Sequence, residues 1–251
     1  MSATQTVILG AIAGFTIFLG LPLARLRIVG REPLALLNAL AVGVLLFLFV
    51  DVMEHAAEPV EEALALHESA FWLLLALLSL GVGGGLLGLI VYGERCLRTG
   101  PTSARRLALL IAVGIGLHNF AEGLAIGNAA RAGALTLALS LVVGFGLHNA
   151  TEGFGIAAPL AGHPVGWGFL FVAGLIGGGP TVLGTLLGMR FASEQVSVLF
   201  LALAGGSILF VIIELLAAGR KLAAPTWVGW GLTIGLLAGF ITEFVLASAG
   251  G

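Results

Sequence analysis

Nearly the whole chain consists of apolar runs long enough to cross a lipid bilayer. A membrane-spanning helix needs about 20 mostly apolar residues, and the mean hydropathy of this 251-residue chain is +1.13. Only 10% of the residues are charged, against roughly 25% in an ordinary soluble domain. The runs therefore predict an all-α, multi-pass protein of the cell membrane, with the lipid bilayer as a partner. The net charge of −2 is too small to indicate nucleic-acid binding.

Hydropathy divides the chain into eight predicted transmembrane helices joined by short connections. Their bounds are Thr6–Ala24, Leu34–Val52, Ala70–Gly93, Leu107–Ala129, Ala134–Leu160, Val165–Met189, Val196–Ala218 and Trp227–Leu246. The short connections predict a single transmembrane transport domain over residues 1–251, folded as one helical bundle. Its longest connections are residues 53–69, which are rich in glutamate, and residues 94–106.

Basic residues are concentrated in the connections on one side of the membrane. Arg131 and Arg190 are the two basic residues on the other side. The crowded side has nine, namely Arg25, Arg27, Arg31, Arg95, Arg98, Arg105, Arg106, Arg220 and Lys221. The positive-inside rule places this side in the cytoplasm. We therefore expect both termini outside the cytoplasm, a cytoplasmic loop at 94–106 and an acidic outer loop at 53–69.

A polar phrase occurs twice inside these apolar runs. GLHNFAEG begins at Gly116 in the fourth predicted span, and GLHNATEG begins at Gly146 in the fifth. Polar and ionisable groups are expensive in lipid, so they indicate a functional site. Histidine and the glutamate four residues later share one face of a helix. The candidate metal ligands are His118, Asn119, Glu122, His148, Asn149 and Glu152.

The two copies of the phrase can meet, because consecutive spans joined by a short loop run antiparallel. A turn centred near Leu135 sets His118 level with Glu152 and Glu122 level with His148. The two faces then form one site with two imidazoles and two carboxylates. Such a set suits Zn²⁺ well, and Fe²⁺ or other divalent first-row ions acceptably.

Each asparagine directly follows a histidine in the sequence and so points to a neighbouring direction on the helix. Asn119 and Asn149 offer carbonyl oxygens as weak ligands, or hydrogen bonds that orient the ligands. The residues alone leave two other interpretations open. The histidines could form hydrogen bonds between helices, or they could be axial ligands of a haem.

HNFAEG and HNATEG resemble the paired HNxPEG-like and HExPEG-like signatures of the ZIP (Zrt-, Irt-like protein) divalent metal transporters. The resemblance covers essentially the whole chain, since the family has eight spans, both termini outside and these signatures on its fourth and fifth helices. It implies that the six candidate ligands form the transport site at the membrane midplane. It also implies transport of Zn²⁺, with Fe²⁺ and Mn²⁺ as alternatives, toward the cytoplasm. The resemblance further implies a transporter, not an enzyme, with no cofactor besides the transported ion.

Three positions depart from the family pattern. The prolines of the two signatures fall on Ala121 and Thr151, which leaves the fourth and fifth helices without the usual cause of a kink. Many members have glutamate before a proline in the sixth helix, and Gly179 stands at that place here. We therefore predict one strong metal site, with a neighbouring second site weak or absent.

Further acidic residues mark an entrance and an exit. Asp51 and Glu54 end the second predicted span, beside an outer segment that has no lysine or arginine. An opening lined by negative charge concentrates cations, so we expect these two carboxylates to be the first residues that the entering ion meets. The alternative is an ordinary solvated segment. Glu214 resembles an acidic position of the family and is the expected exit residue. A carboxylate paired with a neighbouring helix is the alternative there.

Three mechanisms are compatible with these residues. The first is a carrier in which one helix bundle rocks against another around the site. The second is a divalent-cation channel that uses the same residues for selectivity. The third is a membrane metalloenzyme, for which the sequence carries no further signal. The oligomeric state stays open, with a homodimer among the alternatives.

Overall fold

The computed structural model describes residues 2–25, 30–97, 104–191 and 193–250, without the side chains of 96–97 and 245–250. Arg27 and Arg98, two of the basic residues used for orientation, lie outside these ranges. The described residues form eight helical segments. They are α1 (Ala3–Arg25), α2 (Arg31–Ala65), α3 (Phe71–Leu97), α4 (Ala104–Arg131), α5 (Leu135–Ala157), α6 (Trp167–Gly188), α7 (Glu194–Arg220) and α8 (Pro225–Gly250).

Seven of the described helices are long and apolar enough to cross a membrane. The eighth, α5, has 23 residues, which is enough to cross about 30 Å of hydrocarbon. It carries His148, Asn149 and Glu152 among its apolar residues, and these lower its hydropathy. The polar motif therefore lowers the hydropathy by which a membrane-spanning helix is recognised.

Helix α1 is interrupted near its middle. Its first α-helical part, Ala3–Phe15, is followed by a short α-helical segment, Ile17–Gly20, and by a 3₁₀ segment, Leu21–Arg25. At the break, the Thr16 hydroxyl donates a hydrogen bond of 2.7 Å to the Ala13 carbonyl. This bond satisfies a carbonyl beside the break, where the regular helical pairing ends.

Helix α2 is longer than predicted. It runs to Ala65, so the prediction of an outer loop over residues 53–69 is wrong for residues 53–65. Glutamate, alanine and leucine dominate the end of this segment, and all three favour helix. Of the predicted loop at 94–106, residues 94–97 end α3 and residues 104–106 begin α4. Residues 98–103 lie outside the described ranges.

The helices pack as two groups of four. The first bundle comprises α1, α4, α5 and α6, in which α4 runs along α6 and α1 packs on α5 and α6. The second bundle comprises α2, α3, α7 and α8, in which α2 runs along α8 and α3 along α7. The bundles meet where α7 packs on α4 and where α2 and α8 pack on α5. The repeated motif lies entirely in the first bundle.

Glycines bring backbones together within each bundle. A side-chain carbon at Gly123 of α4 would strike the Thr181 carbonyl of α6, and one at Gly206 of α7 would strike α3. Small residues permit this approach where lipid supplies no hydrophobic drive. At the junction between the bundles, the nearest group to Gly114 is instead the Val211 side chain. The closest backbone contacts of the described glycines therefore lie within the bundles.

Candidate functional site

Helices α4 and α5 run without interruption through both copies of the motif. Ala121 and Thr151 are therefore accommodated in regular helix. All six candidate ligands are buried, with His118 only 1% exposed and His148 6% exposed. Burial of so many polar groups in an apolar bundle is costly unless partners or a ligand satisfy them.

His118 is the centre of the contacts. Its Nε2 atom lies 3.1 Å from Glu122 Oε1 on the same helix and 3.7 Å from Glu152 Oε1 on α5. The structure thus sets His118 level with Glu152, as the antiparallel register predicts. Glu122 was expected level with His148. In the structure its Oε2 accepts a hydrogen bond of 3.2 Å from Nδ2 of the next residue, Asn149.

His148 stands apart from this group. Its ring lies 6.4 Å, between centroids, from the Phe47 ring of α2. Both of its ring nitrogens are buried without a hydrogen-bond partner. The structure therefore brings Glu122, Asn149, Glu152 and His118 into contact and leaves His148 beside them on the cavity wall.

The two asparagines tie the motif to the neighbouring helices α6 and α1. Asn119 Nδ2 donates to the Gly177 carbonyl at 3.0 Å, three residues before Pro180 in α6. Asn149 Nδ2 donates to the Ala13 carbonyl at 3.1 Å, three residues before the break in α1. Each amide group thus ties the motif to the backbone of a neighbouring helix, and for Asn149 the bonded carbonyl lies beside the break in α1. Each Oδ1 is left without a hydrogen bond.

Unpartnered polar atoms are concentrated at this cluster. Among the described residues, the buried side-chain atoms without a hydrogen bond are His118 Nδ1 and Nε2, Asn119 Oδ1, Glu122 Oε1, His148 Nδ1 and Nε2, Asn149 Oδ1, Glu152 Oε1 and Oε2, and Thr181 Oγ1. His118 Nε2 and the two Oε1 atoms are close to each other, at 3.1 and 3.7 Å, without forming hydrogen bonds. Buried polar groups normally have a partner. Unpartnered nitrogen and oxygen atoms of this kind are the ligands of Zn²⁺ and related ions.

The donor atoms touch one another and do not surround a common point. Within the described ranges, no group of three or more His, Cys, Asp or Glu side chains is arranged to hold a metal ion as it stands. His118 Nε2 occupies the space between the two carboxylates. An entering ion would have to turn the imidazole and separate these side chains.

A cavity of about 560 Å³ leads to the cluster. It extends from the end of α2 that carries the acidic segment and is bounded by parts of α2, α4, α5, α7 and α8. Its polar and ionisable lining residues are Asp51, His55, His118, Glu122, Ser140, His148 and Glu243. The cavity gives the buried motif access from one side of the protein.

The predicted entrance and exit residues differ in their position relative to the cavity. Asp51 lines the cavity, whereas Glu54 lines a neighbouring depression of about 240 Å³ with Glu58 and Glu61, and His55 lines both. Glu214 is half-buried on α7 and is not part of the cavity lining.

Glu243 lines the cavity, although the sequence prediction did not include it. The signal that could have identified it is the spacing of Gly231, Gly235, Gly239 and Glu243, each four residues apart. Such spacing places all four on one face of a helix.

Gly179 lies on the face of α6 that points away from the rest of the bundle. A side-chain carbon there would meet no atom within 4 Å, and its neighbours on that face, Leu175 and Leu183, are 40% and 57% exposed. An acidic residue at this position would point away from the cluster in this structure. The described buried polar residues of α6 are Thr181 and Thr185, which lie against Gly14 and Gly10 of α1.

A comparison with known protein families identifies the family of this chain. The family model described as ZIP zinc transporter matches residues 94–247, which is more than half of the chain and includes both copies of the motif. The search of curated proteins gives no match. Since the matched region contains the helices that build the cluster, the chain belongs to the ZIP family of metal transporters and is a multi-pass membrane protein.

Proposed function

We propose that the protein carries divalent metal ions toward the cytoplasm, with Zn²⁺ as the first candidate and Fe²⁺ and Mn²⁺ as alternatives. The observation that carries the proposal is the cluster of His118, Glu122 and Glu152, which is buried, in mutual contact and rich in unpartnered atoms. It lies at the inner end of a cavity with carboxylates along its wall. Metal transport by the family supports the same assignment.

The charge of the cluster favours a divalent ion. Glu122 and Glu152 together supply two negative charges when ionised, which balance the charge of one M²⁺ ion. A buried charge is tolerated when it is paired, and the neutral imidazole of His118 can add a nitrogen ligand. A monovalent ion would leave one carboxylate unbalanced. We therefore expect one tightly held divalent ion per chain.

The shape of the cavity favours a carrier over a channel. Its described lining reaches the motif from the acidic end, while beyond the motif the fully buried side chains of Ile156 and Leu160 pack in the apolar core. Access from one side at a time is the basis of alternating access. The first bundle, which holds the motif, would move against the second to expose the ion to the opposite side.

Metal uptake by proteoliposomes tests the proposal. Wild-type protein should take up Zn²⁺ with saturation, and His118→Ala and Glu152→Ala should abolish uptake. Thr233→Ala is a matched control, since this exposed hydroxyl on α8 bonds only to the Gly229 carbonyl of its own helix. If both site variants transport Zn²⁺, Fe²⁺ and Mn²⁺ as well as wild type, the site assignment is wrong. Single-channel currents would favour the channel.

A further inference from the structure

His148 has donor atoms to offer an ion, but it stands outside the cluster that would hold one. It is 6% exposed, both of its ring nitrogens are buried without a hydrogen bond, and it lines the cavity. The side chains in mutual contact are those of His118, Glu122 and Glu152. The cluster therefore uses one of the two imidazoles that the repeated motif provides.

The ring of Phe47 packs on the His148 ring. Their centroids are 6.4 Å apart and their planes are inclined by 59°, and aromatic rings attract each other at such a separation and inclination. Phe47 belongs to α2 in the second bundle, whereas His148 belongs to α5 in the first. The contact thus holds His148 from the side of the cavity that does not carry the cluster.

Phe47 is itself fixed by α8. The Phe240 ring meets it edge-on, with centroids 5.0 Å apart and planes inclined by 67°. A side-chain carbon at Gly239 would strike the Phe47 ring, so this ring lies directly on the backbone of α8. Because Phe47 is only 7% exposed and is held in this way, it cannot follow a movement of His148 toward the cluster.

The contact with Phe47 bears on which ions the site prefers. If His148 turned toward an ion at His118, it would lose the aromatic contact, and this loss would offset part of the gain from a second metal–nitrogen bond. Imidazole nitrogen suits Zn²⁺ and Fe²⁺, whereas carboxylate and water oxygens suit Mn²⁺. A residue that keeps the second imidazole away therefore lowers the preference of the site for Zn²⁺ over Mn²⁺.

We propose that Phe47 determines the metal specificity of the site, because it holds His148 away from the ion and limits the site to one imidazole ligand. The inference rests on the transport function proposed above. Phe47 acts through His148 and does not touch the ion, so it is a positioning residue. With His118, Glu122 and Glu152 as its protein ligands, the ion keeps water at its remaining coordination positions. Such an ion is held less tightly, which favours the release that transport requires.

Equilibrium binding of Zn²⁺ and of Mn²⁺ to detergent-solubilised protein tests this role. Phe47→Leu keeps a large apolar side chain and removes the ring. It should raise the affinity for Zn²⁺ by about two- to tenfold, the worth of one aromatic contact. The affinity for Mn²⁺ should rise less, because the released ligand is an imidazole. An unchanged or lower affinity for Zn²⁺ overturns the proposal, as do equal increases for the two ions.

The gain in affinity has to come through His148. In a His148→Ala background, Phe47→Leu should therefore leave the affinity for Zn²⁺ unchanged, which a double-mutant cycle measures. A loss of packing alone would not make the effect of Phe47→Leu depend on His148. A gain that persists in the His148→Ala background overturns the proposal.

Phe244→Leu is the matched control. The Phe244 ring lies on the same helix as Phe240, stacks on it with centroids 6.3 Å apart, and is 67% exposed. This variant removes a ring of the same aromatic row without removing the ring that packs on His148. It should leave the affinities for both ions unchanged. A rise for Zn²⁺ as large as that of Phe47→Leu overturns the proposal.

X-ray absorption at the zinc edge of the loaded protein counts the imidazole ligands directly. Wild type should show one, Phe47→Leu should show two, and Phe47→Leu/His148→Ala should show one again. Two imidazole ligands in wild type overturn the role of Phe47 and leave the transport function standing. Wild-type protein that binds Zn²⁺ but takes up none into proteoliposomes would instead overturn the transport function, and the ligand count would still decide the role of Phe47.

Discussion

His118 and His148 occupy equivalent positions of the repeated motif, but their surroundings differ. His118 contacts Glu122 and Glu152, whereas His148 lies beside the ring of Phe47. The cluster is therefore asymmetric, although the motif that builds it is repeated. We infer that His118 is a direct ligand of the held ion and that His148 acts mainly while the ion approaches.

Alanine substitution of the two histidines should have unequal effects. His118→Ala should lower the affinity for Zn²⁺ by more than about 100-fold, which exceeds the 10- to 100-fold effect typical of groups that only support a ligand. His148→Ala should cost no more than about tenfold, in the lower part of that range. Isothermal titration of detergent-solubilised protein measures both. Equal losses in the two variants would show that the histidines are equivalent ligands.

Asn149 connects the cluster to the broken helix α1, since its amide donates to both the Ala13 carbonyl and Glu122. Asn149→Leu should leave Glu122 Oε2 without this donor and the Ala13 carbonyl with only the Thr16 hydroxyl as a side-chain donor, and it should lower the free energy of unfolding by about 1 kcal/mol or more. The thermal unfolding midpoint in detergent should fall accordingly. Thr233→Val, on the exposed face of α8, should leave it unchanged. Equal midpoints for Asn149→Leu and wild type would contradict this role.

Helices α4 and α6 depend on glycine for their close contact. Gly123→Ala should be destabilising by about 1–3 kcal/mol, as overpacking usually is, because its new methyl group would strike the Thr181 carbonyl. Gly179→Ala is the matched control on α6, since a methyl group there would meet no atom within 4 Å. Unfolding midpoints of the two variants in detergent test the difference. Similar midpoints would mean that the helices can separate at little cost.

The order of the helices and the core of the site follow from the sequence, because both depend on regular periodicity. Apolar runs of membrane length locate the spans, and the antiparallel turn between α4 and α5 sets His118 level with Glu152, as their 3.7 Å contact shows. These features need only the helical repeat and a short loop. Neither depends on contacts between distant parts of the chain.

The features that the sequence did not predict depend on such contacts or on the limits of hydropathy. The break of α1 at Thr16 is stabilised by Asn149, more than 100 residues away in the chain. A hydropathy profile detects segments that are apolar enough to lie in lipid. The part of α2 that continues to Ala65 is polar, so the profile does not reveal that it is helical. Glu243 lines the cavity because α8 packs on α2, and this packing cannot be read from the local sequence.

The whole molecule combines two bundles that share one cavity. The ligands at the inner end belong to α4 and α5 of the first bundle, and the wall with Asp51 and Glu243 belongs to the second. Backbones touch within each bundle, while Gly114 at the junction meets the Val211 side chain. Side-chain contacts can slide or repack at less cost than glycine-mediated backbone contacts. The junction is therefore where movement for alternating access is expected.

Cross-links placed across and within the bundles test this movement. Phe120 of α4 and Phe200 of α7 face each other across the junction with ring centroids 4.9 Å apart, and Phe18 and Phe171 are 5.9 Å apart within the first bundle. Paired cysteines would replace each pair in a protein whose single native cysteine, Cys96, has been changed to serine. A short thiol-specific cross-linker should stop Zn²⁺ uptake for Phe120→Cys/Phe200→Cys and spare it for Phe18→Cys/Phe171→Cys. Equilibrium Zn²⁺ binding should persist in both. Continued uptake by the cross-linked junction pair would show that the bundles need not move, and the site would then have to exchange ions by local side-chain motion.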